Sequence, residues 1–309
     1  MSFSTDIKEE LSRIDSGSRH CKLAETAAMI QYCGQVKIDS NVKYSLGIHT
    51  ENPAVAKHFF SLIKETFGVS AKLSVQRNDY LKRNRNYSVF VDNHDETVLI
   101  LKAVKLLDNN NFGIILQNTC CKRAYLRGAF LGAGSMSDPE KHYHFEITTM
   151  SQVLAQKLRD IMNSFDLDAK IVLRKKYHVI YIKEGAKIVD VLNIMEAHIA
   201  LMNLENIRIM KDMRNSVNRR VNCETANINK TVSAAVKQLE DIEFIIERGK
   251  FSELNQGLRD VANLRLDNPE ASLKELGEML SPPVGKSGVN HRMKKLSRIA
   301  DDMKVGGRL

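Results

Sequence analysis

Between Lys286 and Arg298 the chain gathers side chains suited to holding phosphate and reading base edges. Lys286, Ser287, Asn290, His291, Arg292, Lys294, Lys295 and Arg298 crowd this stretch, and no acidic residue occurs between Glu278 and Asp301. Asn and Arg side chains pair with base edges, while Lys and Arg neutralise phosphates. At helical spacing Ser287, Asn290, His291, Lys294 and Arg298 share one side, with Arg292 and Lys295 flanking them. Val289, Met293, Leu296 and Ala300 form an apolar stripe on the other. A solvated helix face normally mixes both signs of charge. The one-sided basic face therefore points to double-stranded DNA rather than to solvent alone. A second basic set, Arg208, Lys211, Arg214, Arg219 and Arg220, recurs every few residues through 201–222. Arg214, Arg219 and Arg220 are candidates for phosphate contacts.

The elements that must position the first set are short helices. Leu254, Leu258, Val261 and Ala262 mark one that stops before Asn268-Pro269. Ser272 followed by Glu275 is a capping box, in which each side chain satisfies a free N–H of a helix start. Leu273, Leu276 and Leu280 give the helix that follows one apolar face, and Ser281-Pro-Pro-Val-Gly285 ends it. A third helix, from about Ser287 to Met303, completes a helix-turn-helix pattern. Upstream, Val232, Val236, Leu239 and Phe244 predict a long helix from Ala226. The stretch 214–227 is dense in Asn, whose side chain competes for the backbone, so part of it is expected to be extended or looped.

The rest of the chain is organised around Ala124 to Asp138, where Gly128, Ala129, Gly132, Ala133 and Gly134 alternate with Leu126, Phe130 and Leu131. Gly costs a helix about 1 kcal/mol relative to Ala. Several in one helix imply a second backbone packed very close. Cys21 to Gly34 has a similar shape, with Ala24, Ala27 and Ala28 as its small residues and Gly34 lying 100 residues before Gly134. After each Gly the pattern continues alike: Tyr44 to Thr50, Ala54 to Phe67 and Val69 to Leu73 match Tyr143 to Thr149, Val153 to Phe165 and Leu167 to Ile171. Both halves, about 21–107 and 112–198, read helix, strand, strand, helix, strand, strand, helix. Basic loops at Arg77–Arg85 and in the last hairpin, Leu173–Ile182, could also track phosphates.

Leu126-Arg-Gly-Ala-Phe-Leu-Gly-Ala-Gly-Ser135 resembles the LAGLIDADG helix of homing endonucleases, and Thr26-Ala-Ala-Met-Ile-Gln-Tyr-Cys-Gly-Gln35 is a fainter copy. That resemblance implies two halves with their motif helices packed at the centre. It also implies an acidic residue before each final Gly, holding divalent metal for phosphodiester hydrolysis. Those positions carry Cys33 and Ala133, so the acids are lost and no catalytic residue remains. The degenerate half-repeats, the segment Arg214-Asn-Ser-Val-Asn-Arg219 and the run Leu280-Ser-Pro-Pro-Val-Gly-Lys-Ser-Gly-Val-Asn-His-Arg292 together resemble the bacterial WhiA family. The resemblance implies a catalytically inactive transcriptional regulator of sporulation or cell division. The fold class that follows is α+β: a duplicated LAGLIDADG-like domain over 1–200, a basic connector over 201–222 and an all-α helix-turn-helix domain over 223–309.

Composition narrows the alternatives. Net charge is +9, and residues 201–309 hold 19 Lys+Arg against 15 Asp+Glu, so any nucleic-acid surface is local. Five cysteines, an odd number without CxxC spacing, fit a reducing cytoplasm and argue against a structural zinc or a disulfide framework. No metal and no cofactor are expected. His142 and His144 lack a third ligand nearby, and Ser137 breaks a GxGxxG match at Gly132. No segment reads as a signal peptide or membrane span. The expected location is the cytoplasm, at the nucleoid. The expected partners are double-stranded DNA and another transcription protein reached through the N-terminal domain, with no membrane. Two other readings stand beside this one: an active nuclease or RNA-binding maturase, and a scaffold whose helix-turn-helix binds protein.

Overall fold

The computed structural model describes residues 2–40, 42–77, 85–107 and 112–306. They form two compact units, Met1–Lys211 and Asp212–Leu309. The interior of the basic loop between Arg77 and Arg85 lies outside the described residues, as does the Asp108–Asn111 link.

In the first unit, α1 (Phe3–Leu11) precedes two copies of one motif. The first copy is α2 (Arg19–Cys33), β1 (Gly34–Ile38), β2 (Tyr44–Thr50), α3 (Pro53–Phe67), β3 (Lys72–Arg77), β4 (Arg85–Val91) and α4 (His94–Ala103). The second is α5 (Thr119–Ala133), β5 (Gly134–Met136), β6 (Phe145–Thr149), α6 (Gln152–Asn163), β7 (Lys170–Arg174), β8 (Tyr177–Ile182) and α7 (Gly185–Met195). Each half makes an antiparallel four-stranded sheet of the same order, β1-β2-β4-β3 and β5-β6-β8-β7. Alternation gives each sheet its buried side: Leu46, Ile48, Val89 and Val91 in one, Phe145, Ile147, Ile180 and Ile182 in the other. Local signals set the helix ends. Asn52 accepts from the N–H groups of Ala54 and Val55 to start α3, and Gly68, at φ 68°, stops it. The third strand of each half begins later than the apolar pattern suggests. Val69 and Leu167 are buried ahead of β3 and β7, so apolar character there marks core entry rather than pairing.

The two motif helices meet as their small residues require. A Cβ on Gly128 of α5 would stand 2.5 Å from the carbonyl oxygen of Glu25 and 3.0 Å from the Ala28 Cβ, both on α2. Ala24, Ala27, Ala28 and Ala129 are fully buried in the same contact. Inside it lies an ionic link. Arg127 donates to the buried Glu25 carboxylate (Nη2–Oε2 3.0 Å, Nε–Oε1 3.2 Å), to Glu196 (Nη1–Oε2 2.8 Å) and to Ser16. His58 Nε2 stands 2.8 Å from Glu25 Oε1.

The remaining elements are α8 (His198–Glu247), α9 (Gln256–Asp267), α10 (Leu273–Met279) and α11 (Lys286–Gly306). The Asn-rich stretch is helical throughout, which corrects the expectation of an extended or looped segment. Asn lowers helix propensity by only a few tenths of a kcal/mol per residue. A helix already held at both ends propagates through that deficit. Ala200 and Leu204 are buried in the first unit's core, and Ile242 and Ile245 in the second's. The Glu10 carboxylate accepts from the N–H groups of Ile199 and Ala200, capping the start of α8. Val232 and Val236 are exposed rather than core, so the second unit's interior begins near Ile242.

Candidate nucleic-acid interface

The second unit's core is Ile242, Ile245, Leu254, Leu258, Val261, Ala262, Leu276, Leu280, Val289, Met293, Leu296 and Ala300. α10 opens on the capping box: Ser272 accepts from the Glu275 N–H, and the Glu275 carboxylate accepts from the Ser272 N–H at 2.7 Å. The turn into α11 depends on Gly277. The Val284 N–H donates to the Gly277 carbonyl at 2.9 Å, and a Cβ on Gly277 would run into the Val284 carbonyl. Arg265, buried at the end of α9, holds the α9–α10 loop by donating to the carbonyls of Pro269 and Ala271 at 3.2 and 2.7 Å. At the other end of α11, Lys304 Nζ pairs with the buried Asp241 of α8 at 3.0 Å.

That packing decides what α11 shows to solvent. Val289, Met293, Leu296 and Ala300 are buried, so the opposite side faces outward. Lys286, Ser287, His291, Lys294, Lys295 and Arg298 are exposed, and Asn290 is half-buried at the edge of that face. Arg292 sits nearer the buried side, where its Nη1 donates to the Gly257 carbonyl of α9 at 3.4 Å. Arg214, Arg219 and Arg220 are exposed on α8, with Arg220 loosely paired to Glu224 at 3.8 Å.

The first unit supplies the contrast. Cys33 and Ala133 end α2 and α5 side by side: a Cβ on Gly132 would lie 3.2 Å from Cys33 Sγ. Neither residue is a carboxylate. Burial pushes the Cys33 thiol up to about 12, and the nearby Lys8 ammonium only partly opposes it. Lys8 itself is pushed down by burial. A half-buried thiol with an ammonium beside it is a poor place for Mg2+ or another cation that takes oxygen ligands.

Three family models match the chain in sequence order. They are the WhiA N-terminal LAGLIDADG-like domain over 19–107, the WhiA LAGLIDADG-like domain over 122–214 and the WhiA C-terminal HTH domain over 217–300. The chain is 51% identical over 313 residues to the probable cell division protein WhiA of Lachnoclostridium phytofermentans, covering 98% of this chain and 100% of that one. It is likewise 51% identical over 316 residues to the protein of that name from Alkaliphilus oremlandii, covering 99% of each. The chain belongs to the WhiA family. Its fold is similar to the full-length DUF199/WhiA from Thermatoga maritima, with a TM-score of 0.61 at 25% identity over 98% of this chain and 99% of that one. A solved N-terminal LAGLIDADG domain of DUF199/WhiA matches 63% of this chain and 90% of its own at a TM-score of 0.53 and 21% identity. Among the described residues no helix is long and apolar enough to cross a membrane.

Several working residues of this WhiA-family chain escape a reading by type and spacing. Arg265 looks like any surface cation until the loop closes over it. Glu10 caps a helix 189 residues away. Nor does spacing show that the fold brings donors together from two helices: His20, Cys21, Cys120 and Cys121 converge. His144, by contrast, is paired with Glu146 at 2.9 Å and joins no metal-ligating group among the described residues.

Proposed function

We propose that this chain is a sequence-specific double-stranded-DNA-binding transcriptional regulator, acting in cell division or sporulation at the nucleoid and without nuclease activity. The observation that carries the reading is the outward side of α11, basic from Lys286 to Arg298 and seated on a helix-turn-helix core. Ser287 and the N–H groups at the start of α11 suit a phosphate. Asn290 and His291, one turn in, suit base edges in the major groove, while Lys294, Lys295 and Arg298 suit the backbone. Arg292 reaches base or phosphate only by leaving Gly257, so its part is the smaller one. Arg214, Arg219 and Arg220 add phosphate contacts from α8. The printed name of the curated relatives, probable cell division protein, supports the cellular role. Cys33 and Ala133 support the absence of cleavage, since neither offers oxygen to Mg2+ or Mn2+. A protein partner in transcription would bind through the first unit.

The test is selection of bound fragments from genomic DNA, followed by titration on the selected duplex and a scrambled one. A specific site bound at least about a thousandfold more tightly than scrambled DNA supports the reading. Equal affinity for both, or metal-dependent nicking of a plasmid carrying the site that is lost on mutating the first unit, overturns it.

A further inference from the structure

The first turns of α2 and α5 bring together four metal-ligating side chains that DNA binding does not use. His20 and Cys21 come from α2, Cys120 and Cys121 from α5. Their ligand atoms all lie within 4.8 Å of one another. His20 Nδ1 is 3.1 Å from Cys121 Sγ and 3.4 Å from Cys21 Sγ. The pairs occupy equivalent places in the internal duplication, His20 matching Cys120 and Cys21 matching Cys121 at 100 residues. Cys21 and Cys121 are buried, while His20 and Cys120 remain open to solvent.

We propose that His20, Cys21, Cys120 and Cys121 form a closed structural Zn2+ site that clamps together the N-termini of the two central helices. Four N and S donors with no place for water are the mark of a structural zinc rather than a catalytic one. Tetrahedral zinc with bonds of about 2.3 Å to sulfur sets its donors about 3.8 Å apart, so small rotamer changes close the cluster. Charge favours the same occupant. Three thiolates around Zn2+ leave the site at −1, at the positive ends of two helices. The cap residues of those helices, Ser18 and Asn118, accept no hydrogen bond through their side chains.

Burial, with Cys120 and Cys121 alongside, pushes Cys21 up to about 12. Burial and the Cys120 thiol raise Cys121 as well. Zinc binding forms three Zn–S bonds and one Zn–N bond and sends three thiol protons to solvent, with no change of oxidation state. Affinity therefore rises with pH.

The test uses the full chain, reduced and stripped with chelator at neutral pH, then titrated with Co2+ and back-titrated with Zn2+. One equivalent of Co2+ gives thiolate-to-cobalt charge transfer and intense tetrahedral ligand-field absorption, and one equivalent of Zn2+ bleaches both. Cys120→Ser and His20→Ala alter exposed side chains and leave the circular dichroism unchanged, yet each weakens zinc binding about tenfold or more. Cys223→Ser, on α8, does not. Zinc slows hydrogen exchange in the first turns of α2 and α5. A folded, reduced protein with no cobalt spectrum overturns the proposal, as does a zinc affinity left unchanged by Cys120→Ser and His20→Ala, or one lowered as much by Cys223→Ser. A disulfide from Cys21 to Cys120 or Cys121 in protein isolated anaerobically overturns it too.

Discussion

Acid should loosen the contact between α2 and α5 through one carboxylate. Glu25 is fully buried, which by itself pushes its pKa up; His58 and Arg127 reverse that and hold it near 2, against 4.5 for the free group. A depressed folded pKa contributes stability that is complete above the unfolded value and vanishes as pH falls through the folded one. The displacement corresponds to about 3 kcal/mol, since each unit is worth about 1.4. About 2 kcal/mol of it is gone by pH 3. The groups facing Glu25 are the His58 imidazole on α3 and the Arg127 guanidinium on α5, with Glu196 behind the arginine. The measurement is hydrogen exchange in α2 and α5 of the full chain from pH 6 to pH 3, corrected for intrinsic rates, in wild type and Glu25→Gln. Wild type should lose opening free energy steadily below pH 4.5. The variant, less stable at neutral pH, should be flatter over the same interval. Parallel curves would mean that Glu25 is not held ionised by its partners, and the argument fails.

Gly128→Ala gains helix propensity of about 1 kcal/mol but drives a Cβ against the Glu25 carbonyl. The net effect should be a loss of about 1–3 kcal/mol, read by urea unfolding. Asn290→Ala should cost about 1–3 kcal/mol on the selected site and much less on scrambled DNA. Lys294→Ala should weaken both alike and lower the salt slope by about one unit. If such α11 variants bind normally while Arg214, Arg219 and Arg220 variants do not, recognition lies on α8 instead. Residues 1–211 expressed alone should fold, since Ala200 and Leu204 complete their core, and should hold the selected site far more weakly than the full chain. A fragment ending at 200 should be less stable, by thermal melting, because it lacks Leu204.

The duplicated motif was legible in the sequence because the demands on it are local. Small residues at helix contacts, alternation in strands and Asn, Ser or Gly at helix ends each act over a few residues. The Ser272–Glu275 box and the stripe from Val289 to Ala300 belong to the same class, so the face of α11 follows from spacing. What propensity misjudged was α8, where anchoring at both ends outweighs the asparagines between. Val232 and Val236 rightly marked a helix, yet both are exposed, because an apolar residue at helical spacing says nothing of what stands opposite. Arg127, Arg265 and the four-donor cluster were illegible because their partners are brought by the fold from far along the chain.

The ionic link between α2 and α5 has a consequence for how the two halves choose partners. In the duplication Glu25 corresponds to Tyr125, and Arg127 to Ala27. Each charge therefore exists in one half alone. If two molecules exchanged halves so that α2 met α2, two Glu25 carboxylates would share an interior without a guanidinium. If α5 met α5, two Arg127 would face each other. Glu25 would keep only His58 and Arg127 only Glu196, and losing the buried pair between them costs several kcal/mol, which disfavours like-with-like association. Two halves that look alike in outline are thus complementary rather than identical, like a plug and its socket. A return to a symmetric pair of separate chains would require both positions to change together.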